Sequence, residues 1–276
     1  FLNFEGVRGT SNDDVVWGND TDDGVNFRGY AGRDTFFGGE SERDTIEFNH
    51  DDDAIHGVVV NLGKQAVDFA DLVYDNVSIY GPSEFLNLRV EAESAFDSYG
   101  NVESVVDVER VRGSQHSDIL IGGDTDSFVA RGGDGADFIA GGTDGGRVEY
   151  RHAPNGTVAN LSSVNLDQAT AERILDYRSS AQWFRDAGED GIFSGEIADG
   201  YGHIDRTVNM NIVRGSDAHD VIIMDGAFLD DTSRHRVGVN PDEFDWLGAV
   251  MGGGDDILID RSAGKSQHAV IAQYWD

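Results

Sequence analysis

The residues with the most specific chemistry run from Gly132 to Gly142, Gly-Gly-Asp-Gly-Ala-Asp-Phe-Ile-Ala-Gly-Gly. They fit a nonapeptide pattern, Gly-Gly-x-Gly-x-Asp-x-apolar-x, with Gly132, Gly133, Gly135, Asp137 and Ile139 in the patterned places and the next unit opening at Gly141. Glycines at alternate positions let the backbone take positive φ and bring carbonyl oxygens close to a common point, and Asp137 adds a carboxylate aimed at the same place. Such a set of oxygens is a cage for a hard cation.

The elements that must hold such a cage follow from the same pattern. The last three residues of a unit are extended and carry one apolar side chain to one side, so a stack of units buries a column of these side chains, whereas a single unit has no core. Further units supply the stack. Gly9 to Trp17 carries Asp14 and Val16; Gly18 to Asn26 carries Asp23 and Val25; after two inserted residues Gly29 to Phe37 carries Gly32, Asp34 and Phe36; and Gly39 to Glu47 carries Asp44 and Ile46. A second set opens at Gly113 with Asp118 and Leu120. It continues with Val129 but Ser127 at the carboxylate place, then Asp137 and Ile139, then Val148 with Gly146 where Asp belongs. Asp220 and Ile222 follow Gly215, and Asp256 and Leu258 follow Gly252 and Gly254.

These units resemble the hemolysin-type calcium-binding repeat of RTX proteins, which winds into a parallel β-roll with calcium between successive turns. The resemblance implies an all-β fold of β-roll segments holding several Ca2+ ions. The site residues it implies in the first set are Gly9, Ser11, Asp14, Asp23, Gly29, Gly32, Asp34 and Asp44. It pairs turns on the same side, so Asp14 belongs with Asp34 and Asp23 with Asp44; Glu40, Ser41, Glu42 and Arg43 stand where glycines are usual and weaken the last of these. In the second set Gly113 and Asp118 pair with Gly132, Gly133, Gly135 and Asp137. The opposite side lacks its carboxylates, and Asp124, Asp126 and Asp144 are the acids that could compensate. In the third set the implied residues are Asp220 and, after an interruption, Gly252, Gly254 and Asp256.

Composition agrees with a cation-dependent chain. The 276 residues carry a formal charge of −32 and no cysteine, which excludes disulfides and thiolate metal sites and disfavours nucleic acid and anionic membranes as partners. Self-repulsion keeps such a chain expanded until divalent cations neutralise it, so folding and cation binding are expected to be one event. No apolar run is long enough to span a membrane, and Phe1-Leu2-Asn3-Phe4-Glu5 lacks the basic-then-apolar order of a signal peptide.

A longer period overlies the short one. Gly9, Gly113 and Gly215 recur at intervals of 104 and 102 residues, which divides the chain into 1–104 (roll 9–47, strand 57–62, insertion 63–101), 105–206 (roll 113–149, strand 156–161, insertion 162–200) and a partial 207–276 (roll 215–223 and 251–259, insertion 224–250). Val102 to Val111 is expected as one returning apolar strand, and Asp97-Ser98-Tyr99-Gly100 is echoed by Asp199-Gly200-Tyr201-Gly202. Asn240-Pro241-Asp242-Glu243 has the cap, proline and acid of a helix start.

Signals of catalysis are lacking. Gly264-Lys265-Ser266 has Ile259 where a phosphate-binding loop needs glycine, no His-Glu-x-x-His or Gly-x-Ser-x-Gly occurs, and His116 and His219 fall in turns, where they fill a glycine's place. The expected function is therefore non-catalytic: calcium-dependent folding and assembly of a secreted or cell-surface structural protein, such as a surface layer, fibre or adhesin stalk. Its partners would be other copies, neighbouring repeats of a longer chain or surface glycans, and export by a type I system is implied by the resemblance. The alternatives are an accessory module of a secreted polysaccharide- or protein-processing enzyme, or a glycan-binding adhesin with Trp183 in its binding insertion.

Overall fold

Short β-branched and aromatic triplets alternate along the chain with turns rich in Gly, Asp, Asn and Ser, which favour extended segments and tight reversals respectively. A computed structural model describes residues 4–18, 23–50, 54–68, 89–123, 128–167, 191–225, 246–261 and 269–274. Within them the protein is all β, without a helix.

Two long sheets account for nearly all of it. The first holds, in spatial order, β1 (Gly6–Arg8), β3 (Asn26–Arg28), β5 (Thr45–Glu47), β11 (Arg110–Arg112), β13 (Val129–Arg131), β15 (Arg147–Glu149), β21 (Ile212–Arg214), β23 (Trp246–Met251) and β25 (Ala269–Tyr274). Every neighbouring pair in it is parallel. The second holds β2 (Val15–Trp17), β4 (Thr35–Phe37), β10 (Val102–Val106), β9 (Ser94–Phe96), β6 (Val59–Asn61), β12 (Ile119–Ile121), β14 (Phe138–Ala140), β20 (Ile204–Val208), β19 (Glu196–Ala198), β16 (Val158–Leu161), β22 (Val221–Met224) and β24 (Ile257–Asp260). It is parallel except where β9 and β19 run antiparallel between their neighbours. Two short ribbons, β7 (Val67–Asp68) with β8 (Arg89–Val90) and β17 (Leu166–Asp167) with β18 (Gly191–Ile192), complete the described strands.

The core lies between the two sheets. Phe27, Ile46, Val111, Ala130, Val148 and Val213 from the first meet Phe36, Val60, Leu120, Ile139 and Ile222 from the second, all buried in one cluster. Phe27 and Phe36 stand 5.1 Å apart between ring centroids. Each such side chain is worth roughly 1.5–3 kcal/mol when fully buried.

Three local expectations are corrected by the register. Phe27, not Val25, pairs with Ile46 at the strand centre, because the two extra residues are absorbed in the turn before β3 and not after it. Val129 faces outward, since Ala130 aligns with Val111 and Val148 while Phe128 and Ala130 point into the core. The run Val102 to Val111 is two strands in different sheets, broken where Asp107 takes φ 50°. The Asp-x-Tyr-Gly echo is a hairpin turn: Oδ1 of Asp97 accepts the amides of Tyr99 and Asn101, and Oδ1 of Asp199 those of Tyr201, Gly202 and His203. The helix start at Asn240, Trp183 and most of the insertions lie outside the described residues.

Candidate metal centre

The glycine-rich turns that lead from the first sheet to the second share one edge of the molecule. There Asp14, Asp34, Asp118, Asp137, Asp220 and Asp256 each stand just before a strand of the second sheet, and the parallel register sets them side by side. The amide of Asp14 donates to Oδ1 of Asp34, that of Asp118 to Oδ1 of Asp137 and that of Asp220 to Oδ1 of Asp256, each at 2.9 Å. One carboxylate oxygen thus caps the neighbouring turn, and a side chain one methylene long is what reaches it.

The other oxygen turns back over its own glycine turn. Oδ2 of Asp34, Asp137 and Asp220 is buried and has no hydrogen-bond donor among the described residues. In the first turn the space is measurable: a Cβ on Gly9 would stand 2.7 Å from Oδ2 of Asp14 and 2.8 Å from the Gly29 carbonyl oxygen. A Cβ on Gly32 would meet the Asn12 carbonyl oxygen at 2.7 Å and Oδ1 of Asp34 at 3.0 Å. The carbonyls of Ser114 and His116 likewise face Gly133 and Gly135, and those of Ser216 and Ala218 face Gly252 and Gly254. Gly135 takes φ 124°, a backbone that a side chain would strain.

This donor set fits a hard divalent cation. Carbonyl and carboxylate oxygens converge from two successive turns, at spots where the absent Cβ leaves room, and calcium prefers six to eight such oxygens at about 2.3–2.6 Å. No group of three or more His, Cys, Asp or Glu side chains placed to hold a metal occurs among the described residues, so carbonyls would supply most ligands. Residues that would hold an ion are Asp14, Asp34, Gly29 and Asn12 in one place; Asp118, Asp137, Gly132, Ser114 and His116 in a second; and Asp220, Asp256, Ser216 and Ala218 in a third. Ser11 is exposed in its turn.

Burial raises the pKa of these acids. Burial pushes Asp34 up to about 6, helped by the charge of Asp14 and opposed by the amide bond from Asp14. Burial pushes Asp118 up to about 7 against the hydrogen bonds from Val58 and Ser114. Asp137 is raised well above the usual carboxylate range by burial and then by the charges of Asp205 and Asp118. A cation bound there would offset both the lost hydration and the mutual repulsion.

Asp205 was not marked by any glycine turn, yet it joins the row. The amide of Asp137 donates to its Oδ1 at 2.9 Å, and Tyr150 donates its hydroxyl to Oδ2 at 2.8 Å. Glu103 holds the matching place beside Asp34, since Ser104 pairs with Thr35. Both acids sit on hairpin strands, and the signal that could have found them is the Asp-x-Tyr-Gly turn that precedes β10 and, in its second copy, β20.

The opposite edge is built differently. The amide of Val25 donates to Oδ1 of Asp44 at 2.8 Å, and the amide of Asp44 to Oε2 of Glu109 at 3.2 Å. Val25 therefore occupies the place expected of Asp23, which is exposed two residues away. Glu109, pushed up to about 8 by burial, is a further acid that the pattern missed. In the next turns Phe128 packs its ring where a Cβ on Gly122 or Gly146 would stand, so an aromatic fills the space that carboxylates occupy elsewhere. Asp124 and Asp126 lie outside the described residues; Asp144 is exposed in its turn. Of the histidines, His219 accepts the Asp255 amide at Nδ1, 2.7 Å away. No protein-family model matches this chain, and no curated protein matches it either.

Proposed function

We propose that the chain is a calcium-folded parallel β-roll of the RTX kind, belonging to an extracellular structural protein and without catalytic activity of its own. Calcium ions would sit between successive turns at the three places on the Asp14–Asp256 edge. The observation that carries this reading is the buried, donorless Oδ2 of Asp34, Asp137 and Asp220, each set over a glycine turn facing a neighbouring turn's carbonyls. A structure that buries carboxylate oxygens without a donor is destabilised at neutral pH, where a cation or a proton must neutralise them.

Calcium then acts as a folding switch. Each filled site adds about 2.7 kcal/mol when calcium stands at 100 times its dissociation constant, so a few sites supply stability comparable to that of a whole domain, about 5–15 kcal/mol. The chain would stay expanded where calcium is scarce and compact outside the cell. Assembly is supported by an apolar patch at β2, where Val15 and Trp17 are 55% and 64% exposed, a surface suited to a neighbouring repeat or copy.

Size-exclusion chromatography with light scattering, in chelator and at millimolar calcium, tests the proposal. Compaction on adding calcium is expected, with an increase in mass if copies join. An unchanged radius would overturn it.

A further inference from the structure

The outward face of the first sheet concentrates positive charge in a chain whose net charge is −32. Strand alternation sends Arg110 and Arg112 of β11, Arg131 of β13, Arg147 of β15 and Arg214 of β21 to the same side, away from the core residues between them. Parallel register lays Arg112 beside Arg131 and Glu47, and Glu149 beside Arg214. With Arg43 and Arg151 these side chains line a groove of about 300 Å³, in which, among the described residues, seven arginines face the two acids Asp23 and Glu149.

The described acids pair with only part of this arginine set. Glu47 holds Arg28 at 2.7 Å and also pairs with Arg112, while Glu149 holds Arg131 at 2.8 Å, Arg147 at 3.0 Å and, more loosely, Arg214 at 3.9 Å. Nε of Arg110, Arg131, Arg151 and Arg214 is nevertheless buried without an acceptor among the described residues. Burial, then the neighbouring guanidinium groups Arg147 and Arg43, lower the pKa of Arg110; burial and Arg131 do the same to Arg151. Planar forks with unused donors, crowded at like charge in a partly dehydrated groove, fit the geometry of carboxylate, sulfate and phosphate groups.

We propose that this groove binds a multivalent oxoanion, a ligand carrying at least two sulfate, phosphate or carboxylate groups. A volume at the lower end of small-ligand pockets, about 300–1,000 Å³, accommodates more than one anionic group, and a monoanion leaves most of the guanidinium charge uncompensated. The site is separate from the candidate calcium positions, which lie at the turns, and stands or falls independently of them.

The test is calorimetric titration of the full chain in millimolar calcium and low salt with ethane-1,2-disulfonate, which does not sequester calcium. Saturable binding is expected, with methanesulfonate at least tenfold weaker. The double variant Arg43→Gln and Arg110→Gln should lose at least tenfold in affinity, and the single Arg43→Gln, at an exposed residue, gives a smaller loss in a chain whose fold is not at stake. Light scattering in the same buffers separates two sources of the anion: a fall in mass on adding disulfonate means that carboxylates of another copy occupy the groove, and an unchanged mass means a free ligand. Absence of saturable heat, equal affinity for the monoanion, or undiminished binding by both variants would overturn the proposal.

Discussion

The amide of Asp118 donates to Oδ1 of Asp137 at 2.9 Å across two adjacent parallel strands, and the amide of Asp137 repeats the gesture toward Asp205. Asp137 therefore has two tasks. One oxygen ties its turn to the previous one, and the other is buried over Gly132 without a donor among the described residues. The first task asks only for an acceptor, while the second asks for a negative charge to meet a cation.

Asp137→Asn separates these tasks, because it keeps an acceptor at Oδ1 and removes the charge. In calcium the midpoint of folding should move to at least tenfold higher calcium, equivalent to about 1.4 kcal/mol. In chelator the variant should be more stable than the parent, since the cost of burying the charge and the repulsion with Asp205 and Asp118 are both gone. Calcium titrations followed by circular dichroism, with urea unfolding in chelator, check both halves. Equal destabilisation in the two conditions would mean that the residue is only structural.

The glycines make a sharper steric prediction. A Cβ on Gly132 would collide with Oδ2 of Asp137, whereas on Gly6 its nearest neighbour is 3.5 Å away, an ordinary contact. Gly132→Ala should cost on the order of 1–3 kcal/mol, as overpacking does, and weaken calcium-induced compaction. Gly6→Ala should leave both unchanged in melting and titration experiments.

The candidate site was legible where a glycine turn announces it, around Asp14, Asp34, Asp118, Asp137, Asp220 and Asp256. It was faint at Asp205 and Glu103, where the Asp-x-Tyr-Gly turn before their hairpin strands is the one sequence signal, and illegible at Glu109, which follows a short turn without glycines and is brought into its row by register. Asp23 misled because a nonapeptide frame fixes spacing in sequence, while the parallel ladder fixes it in space and lets a turn absorb two residues. The same freedom turned Val129 outward: the sheet needs alternation, and Phe128 with Ala130 fills the core better than Val129 alone. The break at Asp107 left no apolar gap in the sequence to betray it.

Stability without calcium should fall as pH rises. Asp34 and Asp118 have folded-state values raised from 3.8 to about 6 and about 7, so the folded chain binds more protons than the unfolded one between those limits. By linkage their contribution is most favourable below about pH 4 and is lost as pH climbs through about 6 to 7. Urea midpoints in calcium-depleted buffer should be lower at pH 8 than at pH 5. Calcium binding should release protons, which titrations in buffers of different ionisation enthalpy will count.

The ion pairs on the first sheet predict a calcium-independent loss. Glu47 is buried at 6% exposure and bridges Arg28 and Arg112, so Glu47→Gln strands two guanidinium groups with little water to hydrate them. Removing one partner of a buried pair costs about 3–5 kcal/mol, and unfolding in saturating calcium should show a loss of that order. Replacing both partners, Arg28→Met with Glu47→Leu, should recover much of it, because the apolar pair leaves only Arg112 without its acid. Recovery by the double variant would assign the loss to an uncompensated charge, and a further loss would assign it to packing of the two long side chains against the sheet.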